Sequence, residues 1–191
     1  LNFMPSQVIQ WFPGHMAKTR RMITENLKNV DVVIEVLDAR IPYSSRNPEI
    51  PNLITNKPSL ILLNKASLAD AAQTAAWSKI YTSDNSVCIT TDCVSGAGFG
   101  QIAPKIREIC ADKLQKYNEK GMTGRKLKAM VVGIPNVGKS SLINRLCGDK
   151  KAKVENRPGV TLNKQWISTN IGIDLMDMPG VLWPKFEDKR V

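Results

Sequence analysis

Apolar positions along this chain fall into short continuous runs and longer spaced series, the signature of strands interleaved with helices. Met16, Ile23 and Leu27 share one side of a helix over residues 16–29, with Lys18, Arg21, Glu25 and Lys28 elsewhere. The β-branched run 30–37 predicts a strand, broken by Asp38-Ala-Arg-Ile-Pro42 and by the stretch 44–51. Ser59-Leu-Ile-Leu-Leu63 reads as a strand buried on both faces of a parallel sheet. Helices are expected over 68–81, 101–119 and 139–147, and strands over 86–90 and 127–132. Gln165–Thr169 and Ile171–Met176 read as a strand pair, Gly96–Gly100 as a turn, and Gly121–Gly124 as the best linker candidate. Strands alternating with helices argue for an α/β fold around a mostly parallel sheet.

With 191 residues the chain is long enough for one such domain, burying roughly 70% of its unfolded surface. No apolar run approaches the length of a membrane span, which weighs against a membrane protein. Cys88, Cys93, Cys110 and Cys147 form no CxxC pair, so they read as reduced core thiols of a cytoplasmic protein rather than metal ligands. The net charge of +10 changes the picture more, because it is not spread evenly. Residues 105–164 hold fifteen basic groups against five acidic ones, which is the entire surplus. Lys113, Lys116, Lys120, Arg125, Lys126 and Lys128 form one run, and Lys150, Lys151, Lys153 and Arg157 a second. Two such runs suit a polyanionic partner, RNA before membrane lipid.

The chemistry begins at Gly133-Ile-Pro-Asn-Val-Gly138-Lys139-Ser140, which matches G-x-x-x-x-G-K-[ST] without a gap. The expected strand 127–132 precedes it and the expected helix 139–147 follows. In that context the backbone N–H groups of Asn136, Val137, Gly138, Lys139, Ser140 and Ser141 converge on the phosphates of a nucleoside triphosphate. Lys139 is expected at the β- and γ-phosphates and the Ser140 hydroxyl on Mg²⁺. Asp177-Met-Pro-Gly180 closes a strand where a carboxylate serves the same Mg²⁺ and the Gly180 N–H meets the γ-phosphate. Thr161 lies between the two motifs, where a hydroxyl joins Mg²⁺ and the γ-phosphate.

Guanine-reading domains carry Asn-Lys-x-Asp after an apolar strand, and Asn64-Lys65 follows Leu60–Leu63 here. Asn64, Lys65, Ala66 and Ser67 are therefore base-site candidates, and Asp92 and Cys93 fit the next base-contacting loop. Both lie before the phosphate loop, whereas the usual order places them after it. The order of motifs is thus G4-G5-G1-G2-G3: base motif, base loop, phosphate loop, first switch, second switch.

In this order, together with Trp11–Lys18, Asp38–Pro42, Arg157–Thr161 and Val181-Leu-Trp-Pro-Lys-Phe186, the chain resembles the circularly permuted GTPases of the YlqF/RbgA ribosome-biogenesis type. The resemblance implies a P-loop NTPase three-layer sandwich and slow hydrolysis of GTP unless ribosomal subunits stimulate it. It also implies a precursor of the large ribosomal subunit, rRNA and protein, as partner, and no membrane. Residues 1–29 are then an N-terminal segment with a basic helix and residues 30–191 the permuted G domain, expected as a monomer. The family's helical C-terminal domain has no counterpart in these residues, so a fragment is expected; Met4 is read as the initiator.

Two departures bear on the chemistry. Ser67 stands where the family pattern places the carboxylate that accepts from guanine N1–H and N2–H₂. Relaxed discrimination of GTP over ATP is expected, with a gain on Ser67→Asp, while Ser67-x-x-Asp70 reads as a helix N-cap with its capping box. Second, Val181 and Leu182 follow Gly180, and neither can orient the attacking water. The resemblance points instead to His15, whose bland role is a surface or capping residue. It also places a K⁺ ion at Asn136, whose bland role is to shape the loop. The competing reading is an RNA-binding module in which nucleotide is mainly structural, with Trp11-Phe12 and Trp183–Phe186 as stacking surfaces.

Overall fold

The computed structural model describes residues 13–148 and 166–180. Six strands form one sheet: β1 (Val32–Asp38), β2 (Ser59–Asn64), β3 (Ser86–Thr90), β4 (Leu127–Val132), β5 (Ile167–Ser168) and β6 (Ile173–Asp177). Their order across the sheet is β3-β2-β1-β4-β6-β5, and only the β5–β6 pairing is antiparallel. The long helices are α1 (Pro13–Leu27), α3 (Ala71–Tyr81), α4 (Phe99–Ile109), α5 (Ala111–Glu119) and α6 (Lys139–Cys147), with a short α2 at Glu49–Leu53.

Alternation along the strands sorts the core into two faces. Val32, Ile34 and Val36 of β1, with Leu60, Leu62, Ala129, Val131, Ile173 and Leu175, pack against Ile102 and Ile106 of α4 and Leu142, Ile143 and Leu146 of α6. On the other face Val33, Met130, Val132 and Met176 meet Ile23 of α1 and Ile50 of α2. Leu37, Ile61 and Leu63 meet Trp77 and Tyr81 of α3 on that same face. Helices cover both sides, giving the expected three-layer sandwich. Ile23 of α1 is buried in the second face, so the basic helix packs on the sheet.

Most elements fall where the pattern placed them, and four differ. The stretch 44–51, read as a break, holds the start of α2, a single turn that Ile50 anchors to the sheet. The expected helix 101–119 is two helices, α4 and α5, bent at Cys110, whose backbone leaves the helical region at φ −99° and ψ 13°. Gly121–Gly124 is a turn between α5 and β4 within one domain rather than a linker. Ser67 is not the cap of α3: that cap is Asp70, whose side chain accepts from Gln73 N–H at 2.8 Å. Ser67 lies earlier, in a 3₁₀ turn at Ala66–Leu68, and its hydroxyl turns elsewhere.

Two buried carboxylates brace the sheet. Glu35, 1% exposed at the centre of β1, is held by a forked contact from Arg46, with Nη2 at 2.8 Å from Oε2, and Arg46 in turn lies over the Tyr81 ring. Burial pushes the Glu35 carboxyl up and Arg46 opposes that shift. Asp31, just before β1, accepts from the Lys128 N–H of β4, the Tyr117 hydroxyl and the Lys113 ammonium of α5, each within 2.8 Å. Burial works to raise its pKa, but the bonds from Lys113, Lys128 and Tyr117 outweigh it and hold the carboxyl below its usual range.

These contacts make opposite kinds of demand. Arg46→Ala strands the Glu35 charge inside the sheet and is expected to lower stability by about 3 kcal/mol or more, read by urea denaturation. Asp31→Asn is expected to cost about 2 kcal/mol at neutral pH. A carboxylate whose pKa is depressed on folding stabilises above its unfolded pKa. The gap between Asp31→Asn and the parent should therefore shrink as pH falls below about 4, measured by thermal melts across pH.

Candidate nucleotide site

The C-terminal ends of the parallel strands bring together loops far apart in the chain, the usual crevice for a ligand in an open α/β sheet. Gly133–Gly138 joins β4 to α6, whose first residue is Lys139. Asn136 takes the left-handed region at φ 68°, which asparagine tolerates well, and Gly138 follows at φ 104°. A Cβ on Gly138 would overlap the Asn64 amide, so glycine is required there by close approach as well as by conformation. Val137 is buried in the core and fixes the loop from below, while Ser140 and Ser141 stand exposed at the first turn of α6. The exposed N–H groups of that turn and the helix dipole favour an anion.

The base loop is tied directly to this phosphate loop. Asn64, buried at the end of β2, donates from Nδ2 to the Val137 carbonyl at 2.8 Å and accepts the Cys93 N–H on Oδ1 at 3.2 Å. Lys65 also sits in the left-handed region, at φ 63°, and its ammonium donates to the Asn136 carbonyl at 2.6 Å and to Asp38 Oδ2 at 2.9 Å. The Ala66 N–H donates to the Thr91 carbonyl at 3.1 Å. Cys93 closes the second base loop, its carbonyl taking a bond from Arg145 of α6 at 3.0 Å. Burial pushes the Cys93 thiol up, leaving it a neutral group beside Asn64.

Asp38 and Arg145 are working parts of this arrangement that sequence reasoning did not assign. Asp38 ends β1 and grips both Arg40, at 2.7 Å, and Lys65. Burial favours its neutral form, yet the bonds from Arg40 and Lys65 prevail and keep it ionised well below the usual carboxylate range. The available signal was position: a carboxylate at the carboxyl end of the strand beside β2 is in reach of Asn64-Lys65.

On the phosphate side, Lys139 is buried, and burial lowers its pKa while the Asp177 charge pulls the other way. Asp177 ends β6, paired in register with Val131 of β4. Gly180 approaches so closely that a Cβ there would stand 2.7 Å from the Lys139 ammonium. Bonds thus join Asn64 and Lys65 to the Val137 and Asn136 carbonyls, Ser67 to Asp92 and Cys93 to Asn64, while Gly180 packs against Lys139; Ala66, Ser140, Ser141 and Asp177 lie on the same strand-end loops or the helix start beside them. Thr161 and the second basic run lie outside the described residues; of His15 the backbone alone is described, in the first turn of α1.

Comparison with known proteins gives the same picture. The family model described as "50S ribosome-binding GTPase" matches residues 128–191. "Ribosome biogenesis GTPase A" of Bacillus licheniformis is 50% identical over 184 residues, covering 96% of this chain and 65% of that protein. "Mitochondrial ribosome-associated GTPase 1" of Mus musculus is 40% identical over 191 residues, covering 94% of this chain and 57% of that protein. Among solved structures, GNP-bound YlqF from T. maritima aligns at a TM-score of 0.59 and 27% identity, covering 90% of this chain and 61% of that one. The chain therefore spans about two-thirds or less of the length of these relatives. Shared sequence over nearly all its residues, and strands that run from base motif to phosphate loop, make this chain a circularly permuted P-loop domain of the YlqF/RbgA family.

Proposed function

We propose that this chain is the GTP-binding and GTP-hydrolysing switch of a protein that acts in assembly of the large ribosomal subunit. The observation that carries it is the junction of Asn64 and Lys65 with the Val137 and Asn136 carbonyls, which welds a base-reading loop to a phosphate cradle. The names of its relatives supply the ribosomal setting.

In this reading Lys139 places its charge between the β- and γ-phosphates, where burial strengthens its field on the transferring group. The Ser140 hydroxyl and the Asp177 carboxylate are hard oxygen donors of the kind Mg²⁺ takes, and Thr161 would complete the set. Mg²⁺ held by these residues would neutralise charge on the phosphate oxygens. Asn136 would hold K⁺ on the same edge, its left-handed backbone supporting the loop without an added glycine. Gly180, packed on Lys139, joins the second switch to the phosphate site, so that loss of the γ-phosphate is felt there. Since Val181 and Leu182 carry no hydrogen-bonding side chain, His15 orients the attacking water, with the ribosomal subunit completing the geometry.

The surface agrees with an RNA partner in part. Lys113 is engaged with Asp31, and Lys128 lies over Trp166, so the run is not all free charge. Arg107, Arg125 and Lys126 line an open groove of about 400 Å³ between α5 and the β4–β6 edge, although Arg107 also donates to the Ile171 carbonyl, Arg125 lies over Tyr117 and Lys126 faces Asp174 at 3.8 Å; Lys116 and Lys120 stand exposed on the adjoining helix end. RNA phosphates and stacked bases suit such a lining.

Lys139→Ala is expected to weaken guanine nucleotide binding by more than about tenfold, read by fluorescent-nucleotide titration. His15→Ala should keep that affinity while subunit-stimulated phosphate release drops about tenfold or more. Stimulated release at the parent rate would remove His15 from the reaction. A Lys116→Glu, Lys120→Glu pair should weaken cosedimentation with ribosomal subunits and flatten its salt dependence.

A further inference from the structure

The 3₁₀ turn after β2 and the turn after β3 meet through one pair of side chains. Asp92, 2% exposed, accepts on Oδ2 both the Ser67 N–H, at 3.2 Å, and the Ser67 hydroxyl. Its Oδ1 accepts the N–H groups of Val94 and Ser95, each at 2.9 Å, and the Ser95 hydroxyl at 3.2 Å. Five donors therefore fill a group with about four lone-pair directions, and nothing is left on Asp92 for a ligand. The Ser67 hydroxyl and the backbone N–H groups around it hold the Asp92 carboxyl well below the usual range, so it is ionised and can only accept.

This fixes the polarity of Ser67. A hydroxyl has one proton, and that proton is committed to Asp92. What exposed Ser67 offers toward the crevice is oxygen lone pairs alone. Guanine and hypoxanthine present an N1–H on the edge read there, whereas adenine presents an N1 lone pair. An acceptor facing an acceptor leaves both unsatisfied, the kind of mismatch that discriminates strongly.

We propose that Asp92 is the specificity-determining residue of the base site: by holding the Ser67 hydroxyl proton it makes Ser67 Oγ an obligate acceptor that selects purines carrying an N1–H over adenine. The charge expected at position 67 has in effect moved across the pocket to position 92. One neutral oxygen reaches one donor, so the guanine 2-amino group goes unread. The relaxation expected from Ser67 is thus redirected: adenine stays excluded, and hypoxanthine is admitted alongside guanine. The inference rests on the guanine-nucleotide reading above and names how that site reads its base.

Competition for a fluorescent GDP analogue on the 191-residue chain tests it, with GDP, IDP and ADP as competitors. GDP and IDP should bind within about threefold of each other, and ADP at least about tenfold more weakly. ADP within threefold of GDP overturns the proposal while leaving the nucleotide site intact, and so does a tenfold deficit for IDP. Displacement by none of the three removes the nucleotide site itself and the proposal with it. Ser67→Ala, a small change at an exposed position, removes both the bond to N1–H and the clash with the adenine N1 lone pair, so it should lower GDP affinity, raise ADP affinity and bring the two within about threefold. Ser67→Asp alone sets two carboxylates against each other and should weaken GDP binding. The exchange Ser67→Asp with Asp92→Ser should restore it and open a gap of about tenfold between GDP and IDP. If Ser67→Asp alone does as well as the exchange, Asp92 does not govern the site.

Discussion

The parallel pairing of β1 with β4 is the constraint on which the site depends. Val32 to Glu35 align with Ala129 to Val132, joining chain segments almost a hundred residues apart at the centre of the sheet. Asp31 locks that register at its start by accepting the Lys128 N–H. Once the two strands are in register, the loop after β4 and the carboxylate ending β1 must emerge side by side. β2, paired to the other edge of β1, then delivers Asn64 and Lys65 to the same place. A slip of one residue would turn Glu35 to the opposite face, away from Arg46, and so is strongly disfavoured.

This geometry explains how a permuted chain can set the Asn64-Lys65 loop beside the G-x-x-x-x-G-K-S loop. A sheet is indifferent to which strand comes first in sequence, so long as neighbours pair and crossovers lie over its faces. Here β1, β2 and β3 precede the strand that leads into the G-x-x-x-x-G-K-S loop, yet β3, β2, β1 and β4 lie side by side and parallel, with their carboxyl ends aligned. The cost of permutation is that contacts between the two loops are long in sequence. Asn64 to Val137 and Lys65 to Asn136 each span more than seventy residues. Buried polar groups, Asn64 and Asp38 among them, hold what a short connection would otherwise hold.

Local pattern made the elements legible, and the phosphate loop most of all, because its glycines and the following helix obey rules that act over a few residues. α6 begins at Lys139, where the motif placed it. The misreadings share a cause. The bend at Cys110 and the turn of α2 depend on what lies beneath them in the core, to which periodicity is blind. Ser67 looked like a cap because Asp70 follows at the right spacing, but Asp70 caps α3 by itself and leaves Ser67 to Asp92, twenty-five positions away. Asp38 was visible as a motif and silent as to role, since its partner Lys65 lies across a strand pair rather than along a helix. The basic surplus was likewise a sum in the sequence, and only contacts separate the lysines that brace the fold from those that face outward.

The Ser67–Asp92 pair also limits how the base loop can change over evolutionary time. Moving the carboxylate from one loop to the other requires two substitutions, and either one alone leaves a chain with two facing carboxylates or with none. The first is repelled and the second leaves the hydroxyl proton without a fixed acceptor. On this reading a carboxylate at 67 and a carboxylate at 92 are alternatives, and a change from one to the other passes through one of these two mismatched states. Across homologues, positions 67 and 92 should change together, each identity being acceptable only in the company of the other.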